Sequence, residues 1–286
     1  MKRHINKSQS ALLLGGGYVA SYLAPHLIQS GYDVMVTSRN GQTEIKDVHC
    51  LKFDGKASPE LKNSFLSADL ILSSVPPNKN SGHDPVIRAF RHLTPSANWI
   101  GYLSATSVYG NRNGQWAFED EAPTPSLKRG RLRAEAEIAW IETLWPVHIF
   151  RLSGIYGPNR SPFKKLRQSE ARAVIKADHV VNRIHIDDII RALALSIDKP
   201  NPLAIYNLAD GNPAPPHDVL DYAAELIRQA KAKRIDMNAQ GLSDMARSFY
   251  LETKRINIDR AKTELDWSPI YPDYKTGLKA VLSSET

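Results

Sequence analysis

Ala11-Leu12-Leu13-Leu14-Gly15-Gly16-Gly17-Tyr18-Val19-Ala20, running on into Ser21-Tyr22-Leu23-Ala24, is the stretch that decides the fold. A short apolar run that stops abruptly at glycines reads as a buried parallel strand entering a tight turn. Beyond the turn, Val19, Leu23 and Leu27 recur every four residues, which marks one face of a helix. Gly31 ends that helix, and residues 33–37 read as a second strand. Strand, glycine turn, helix and strand together form a dinucleotide-binding βαβ unit, with Gly15, Gly17 and Ala20 in its G-x-G-x-x-(G/A) fingerprint. Gly15 permits the turn, Gly17 lets a pyrophosphate approach the backbone, and Ala20 lets helix and strand pack closely. The helix N-terminus offers free N–H groups, which sets Gly15, Gly16, Gly17, Tyr18 and Val19 against the cofactor.

Thr37-Ser38-Arg39-Asn40 ends the second strand, about 20 residues past the glycines, where an NAD-specific site carries an acid for the ribose 2′-hydroxyl. No acid stands there. Arg39 suits a 2′-phosphate instead, which points to NADP(H), with NAD as the alternative. Residues 48–53 and 68–74 read as the third and fourth strands. Asp54, Ser74 and Val75 at their ends are expected to border the adenine and ribose, because ligands bind outside the carboxyl ends of such strands.

The chain has 286 residues, 42% hydrophobic and 23% charged, which suits one large α/β domain or a domain plus a small lobe. A net charge of +7 favours an anionic small-molecule ligand. The basic residues form short clusters rather than one stripe, which argues against nucleic acid. Cys50 is the only cysteine, so neither a disulfide framework nor a cysteine metal site arises within one chain, as suits a reducing cytoplasm. Met1-Lys2-Arg3 precedes an apolar core of only residues 11–14, too short for a signal peptide or a membrane span. No His cluster or carboxylate pair has metal-ligand spacing, so no metal site is expected.

Further on, residues 85–93 read as a helix and 98–103 as a fifth strand. A long helix is expected over 128–144, a sixth strand over 147–152, a helix over 186–197 and a returning strand over 204–208. Two more helices are expected over 216–230 and 259–265. The fold class is α/β, a doubly wound, mainly parallel Rossmann-like sheet with a small C-terminal lobe. The expected division is 1–153, with 181–209 returning to it, and a lobe made of 154–180 and 210–286.

Six motifs carry a resemblance. They are the turn from Gly15 to Ala20, Ser104-Ala105-Thr106-Ser107-Val108-Tyr109-Gly110, Arg151-Leu152-Ser153-Gly154-Ile155-Tyr156-Gly157-Pro158, Arg183-Ile184-His185-Ile186-Asp187-Asp188, Tyr206-Asn207-Leu208-Ala209-Asp210, and Glu264-Leu265-Asp266-Trp267-Ser268-Pro269. In this order they resemble the extended short-chain dehydrogenases, or nucleotide-sugar epimerase/dehydratase-like proteins, nearly end to end. The resemblance implies a Ser or Thr, a Tyr and a Lys as catalytic set, the last two spaced Y-x-x-x-K on a helix. That spacing puts both on one face, where Lys lowers the Tyr pKa for proton exchange.

Aligning the motifs places Ala105, Arg129 and Arg133 at these three positions. Alanine has no hydroxyl and arginine stays protonated, so the usual relay is absent. In one reading Arg129 and Arg133 point into the cleft and grip phosphate or carboxylate. In the other, residues 128–137 are a solvated face with Arg133 and Glu137 as an i, i+4 ion pair. Ser104, Thr106, Tyr109, Tyr156 and His83 are candidate acids near the expected cleft. Tyr109 and Tyr156 fit turn anchors as well, and His185 fits the start of the next helix. Ser104, Thr106, Arg129, Arg133 and Tyr156 form the expected substrate set.

The resulting expectation is an NAD(P)-binding oxidoreductase or epimerase on a small anionic, nucleotide-linked substrate, with a non-standard catalytic set. The alternative is a non-catalytic regulatory protein that senses NADP(H). A homodimer is compatible with either.

Overall fold

The computed structural model describes residues 9–237 and 242–285. The Met1-Lys2-Arg3 lead lies outside them. Strand β1 (Ser10–Leu14) is buried along nearly its whole length, as its leucines require. Helix α1 (Tyr18–Gln29) follows the glycines, and Gly17 caps it without any side-chain hydrogen bond. Then come β2 (Asp33–Ser38), β3 (His49–Lys52), α2 (Pro59–Ser67), β4 (Leu70–Ser73), α3 (Pro85–Phe90) and β5 (Trp99–Ala105). Helices α2 and α3 both start on a polar cap followed by proline: Ser58 accepts the Leu61 N–H, and Asp84 accepts those of Val86 and Ile87.

The chain continues through β6 (Trp116–Ala117), α4 (Lys128–Ile141), β7 (Val147–Leu152), β8 (Gly154–Tyr156), α5 (Phe163–Arg167), β9 (Arg172–Val174), β10 (Arg183–His185) and α6 (Ile186–Asp198). It ends with β11 (Ile205–Leu208), α7 (Pro216–Leu226), β12 (Lys233–Ile235), α8 (Asp244–Ser248), β13 (Arg255–Ile256), α9 (Asp259–Leu265) and α10 (Tyr274–Glu285). Seven strands form a mainly parallel sheet in the order β11-β7-β5-β4-β1-β2-β3. Strand β1 pairs in parallel with β2 through Ala11 and Val34, and with β4 through Ala11 and Leu70. The strand order therefore reverses at β1, and a crevice opens outside the carboxyl ends of β1 and β4.

Two compact units result. The first takes the described residues up to 104, with 132–150 and 196–205; the second takes 105–131, 151–195 and 206–286. The expected division put residues 151–153, 181–195 and 206–209 with the first unit, where they do not fall, and it put residues 105–131 there too. Residues 105–131 join the second because β6 pairs with β13, through Trp116 and Arg255, and so ties this segment to the C-terminal third. The core of the first unit packs Phe53, Phe65, Phe90, Trp140 and Trp145, with Phe65 stacked on Phe90 at 4.4 Å. In the second, Tyr156, Phe163, Leu166, Ala223, Leu278 and Val281 form the core. Among the described residues no helix is long and apolar enough to cross a membrane.

Candidate functional site

The crevice at the strand reversal is a cleft of about 1010 Å³, lined by Gly15, Gly16, Gly17, Arg39, Asp54, Ser74 and Val75 among others. Gly15 sits at φ +101°, and a Cβ there would lie 2.5 Å from Ser74 Oγ. The turn is held from both sides. Gly15 N–H donates to Thr37 Oγ1 at 2.9 Å, Gly16 N–H donates to the Thr37 carbonyl at 2.6 Å, and Ser74 Oγ donates to the Gly15 carbonyl at 3.0 Å. A Cβ on Gly17 would meet nothing within 4 Å. The fold therefore does not need glycine at position 17, whereas a ligand pressed against the backbone does.

Among the described residues no side-chain hydrogen bond caps α1 at Gly17, and the positive end of the helix dipole at this glycine on the cleft wall favours an anion. Ala20 is buried against the sheet, as the third fingerprint position requires. Arg39 is exposed on the cleft wall, and no hydrogen bond or ion pair holds its guanidinium among the described residues. Asp54 pairs with Lys52 at 3.0 Å, and that hydrogen bond holds its carboxyl below the ordinary carboxylate range. Tyr18 lines a neighbouring groove of about 1250 Å³. Val19 turns its side chain into the core and leaves only its backbone facing the turn. Lys79, Asn78 and Asn80 also line the cleft and escaped the sequence reading. Their only signal is the Pro76-Pro77 stop that puts a polar loop after β4.

The second unit has its own pocket, about 280 Å³, lined by Ala105, Thr106, Arg129, Ser153, Asn182, Glu252 and Lys254 with apolar neighbours. Arg129 donates to Ser248 Oγ at 2.7 Å and lies 4.4 Å from the Phe249 ring centre. Glu252 and Lys254 form a buried ion pair at 3.0 Å. Nothing in the local sequence marks this pair, since it is the β6–β13 pairing that turns it inward.

The remaining expected site residues fall elsewhere. Arg133 does not line this pocket: its Nη1 donates to the Leu103 carbonyl at 2.7 Å and to Tyr102 Oη at 3.0 Å. Glu137 is buried and accepts the Ser104 hydroxyl at 2.5 Å, so residues 128–137 are not a solvated face. Ser104 does not line this pocket either. Tyr156 is packed in the core of the second unit, edge-on to His185 at 5.2 Å, and burial pushes its hydroxyl far above the ordinary tyrosine range. The motif Tyr109 donates to Asn207 at 2.8 Å and accepts from Arg151 at 2.8 Å, which makes it a turn anchor. His83 is exposed in its loop. His185 Nδ1 accepts the Asp187 N–H at 3.2 Å and so starts α6.

No family model matches the chain. Among solved structures, a functionally unknown conserved protein from Silicibacter pomeroyi superposes at TM-score 0.89, with 39% identity over 98% of this chain and 100% of that one. UDP-glucuronic acid 4-epimerase from Bacillus cereus, in complex with NAD, superposes at 0.76 with 18% identity over 96% and 98%. Among curated proteins, YeeZ of Escherichia coli K12 is 28% identical over 71% of this chain and 78% of its own length. Human dTDP-D-glucose 4,6-dehydratase is 25% identical over 63% of this chain and 54% of its own length. The chain resembles the NAD-dependent epimerase/dehydratase-like proteins of the extended short-chain dehydrogenase group and shares the fold of their solved structures. The glycine turn at the end of β1 and the polar pocket of the second unit are the two candidate sites.

Proposed function

We propose that this protein binds a nicotinamide dinucleotide, NADP(H) in preference to NAD(H), and acts as an oxidoreductase or epimerase on a small anionic, nucleotide-linked substrate. One observation carries the reading: a glycine turn strained at Gly15 and open at Gly17, facing a cleft beneath the uncapped N-terminus of α1. The first-turn N–H groups of α1 would hold the pyrophosphate. Asp54, Ser74 and Val75 would border the adenosine, and Arg39 would pair with a 2′-phosphate that no acid at the end of β2 repels. When bound, the dinucleotide supplies the hydride donor or acceptor. Thr37 and Ser74 act by keeping the turn in its strained form. The basic Arg129 in the second-unit pocket suits a carboxylate or phosphate on the substrate. The likeness to an epimerase of UDP-glucuronic acid makes that compound the first substrate to test.

Calorimetric titration of wild type and Arg39→Ala with both cofactors tests the reading. NADP(H) affinity is expected to fall about tenfold to a hundredfold in the variant, and NAD(H) affinity to stay put, since a charged hydrogen bond contributes about 1.5–3 kcal/mol. Failure of wild type to bind either cofactor would reject the proposal. The residues aligned with the family's catalytic set favour a second reading, a non-catalytic sensor of NADP(H). Cofactor binding without turnover of any sugar nucleotide would support it.

A further inference from the structure

The second-unit pocket holds an ion pair that neither reading uses. Lys254 and Glu252 both line it, with side chains 9% and 4% exposed. A buried ion pair adds little stability over well-packed apolar residues of the same size, so its presence in a cavity wall asks for another role. Glu252 is engaged on both oxygens: one accepts the Ser126 hydroxyl, the other accepts Lys254 Nζ–H at 3.0 Å. The two cations keep donors to spare. One ammonium hydrogen of Lys254 reaches Glu252, and among the described residues the other two have no acceptor. Arg129 gives one N–H to Ser248 Oγ and one to the Ser248 carbonyl, and three of its five donors have no acceptor among the described residues. Asn182 fixes the backbone here, donating to the Lys254 carbonyl at 2.9 Å and accepting the Ile256 N–H at 3.0 Å.

Charge decides what such a pocket takes. Its lining sets Arg129 and Lys254 against Glu252 alone, which leaves one positive charge in excess. Arg112 nearby is paired with Glu121 at 3.2 Å, and burial keeps His179 neutral, its pKa held down to about 4. Burial also draws the Lys254 amine below an ordinary lysine, Glu252 opposes this, and the guanidiniums of Arg129 and Arg112 add to it. A second negative charge beside Lys254 would relieve that crowding. One carboxylate balances the pocket, and its planar pair of oxygens matches the guanidinium fork. A phosphate dianion would turn the excess into a deficit, next to the Glu252 carboxylate that repels it. Size narrows the choice further. At about 280 Å³ the pocket falls below the range of about 300–1000 Å³ that encloses drug-sized ligands, which suits one sugar-sized acid. Leu152, Val180 and Val181 in its wall would cover the carbon skeleton. We propose that this pocket binds a small organic acid of sugar size, its carboxylate held by Arg129 and Lys254, and that Glu252 excludes the corresponding phosphate. The assignment narrows the substrate half of the enzyme reading above and rests on it.

Three probes on the full chain test this: D-glucose, D-glucuronate and D-glucose 6-phosphate, one ring that is uncharged, singly charged and, at about pH 8, doubly charged. Calorimetry should find wild type binding glucuronate at least about tenfold more tightly than either of the others. Arg129→Gln should lower glucuronate affinity by at least about tenfold while keeping a cooperative thermal transition by circular dichroism. Glu252→Gln leaves two positive charges in excess and should turn the order over, so that glucose 6-phosphate binds more tightly than glucuronate. A purely structural ion pair would not reverse that preference. Should Glu252→Gln fail to fold, the wild-type series and Arg129→Gln still decide. None of these titrations contains a dinucleotide. A wild type that binds no dinucleotide therefore refutes the enzyme reading and leaves the pocket's own result standing. Glucuronate bound no better than glucose, or equally well by a folded Arg129→Gln, refutes the anion site. Glucose 6-phosphate bound more tightly than glucuronate by wild type, and weakened in Arg129→Gln, refutes the choice of a carboxylate. A folded Glu252→Gln with the wild-type order refutes the role of Glu252.

Discussion

Gly15 and Gly17 stand two residues apart in one turn, yet they are glycines for different reasons. At Gly15 the backbone is left-handed, with φ +101°, and an added Cβ would press on Ser74 Oγ. Gly15→Ala is therefore expected to lower stability by about 1–3 kcal/mol through strain and overlap. Gly17 has an ordinary φ of −90° and open space where a Cβ would go, so the fold tolerates a side chain there. A valine would occupy the space that a pyrophosphate needs at the start of α1. Gly17→Val should melt within a degree or two of wild type by circular dichroism and lose at least about a hundredfold in dinucleotide affinity by calorimetry, near 3 kcal/mol. Unchanged affinity in a folded Gly17→Val protein would remove the glycine turn from the binding site.

Helix α10 shows how one glycine can fix the seat of a whole element. A Cβ on Gly277 would overlap Tyr156 Oη, so this turn of α10 lies flat on the tyrosine. Gly277→Ala should cost about 1–3 kcal/mol by overpacking, despite alanine's better helix propensity. Among the described residues the buried Tyr156 hydroxyl has no hydrogen-bond partner, so Tyr156→Phe should be neutral or stabilising and should relieve part of the Gly277→Ala penalty. Urea unfolding of both single variants and the double variant measures the coupling, and additive effects would show that the two do not touch. Elements of this kind were only partly legible in the sequence. Strand β1 and helix α1 could be read because leucine run, glycine turn and four-residue spacing agree with one another. Helix α2 carries a start signal in Ser58-Pro59, but its few buried residues, Leu61, Ser64 and Phe65, make a sparse pattern that leaves no periodic stripe. Helix α10 likewise starts on Asp273, which accepts the Thr276 N–H at 2.7 Å, and escaped for the same reason. Strands β6 and β13 are two residues each and exist only through one another, far apart along the chain. The Lys254–Glu252 pair rests on them and has no local signature. Arg133 misled in the opposite direction, since its spacing from Arg129 is right for a shared face while its guanidinium is drawn to the Leu103 carbonyl.

At the scale of the molecule, buried titratable groups of opposite sign shape the dependence of stability on pH. His148 is fully buried, stacked 5.4 Å from Trp99, and its Nε2 accepts the Asn201 N–H at 2.9 Å. Burial holds its pKa at about 4, against 6.5 for a free histidine. Between these values the unfolded chain binds a proton that the folded chain does not, so stability falls as pH drops from 6.5 towards 4. The full loss is about 3 kcal/mol. Asp210 works the other way: burial raises it to about 7, so its contribution falls as pH climbs from 3.8 to 7. The two slopes oppose each other, and the wild-type curve alone hides both. The difference between wild type and His148→Phe isolates one of them. Near pH 7 the variant should be less stable by about 1–2 kcal/mol, because the Asn201 N–H loses its acceptor. Towards pH 4 that deficit should shrink and then reverse, because phenylalanine has no proton to take up. Urea unfolding followed by tryptophan fluorescence, which Trp99 beside His148 makes sensitive to this part of the core, measures the difference at each pH. A deficit that stays constant from pH 7 to pH 4 would mean that His148 is solvated well enough to hold its charge, and that this face of the sheet is not the dry interior its packing describes.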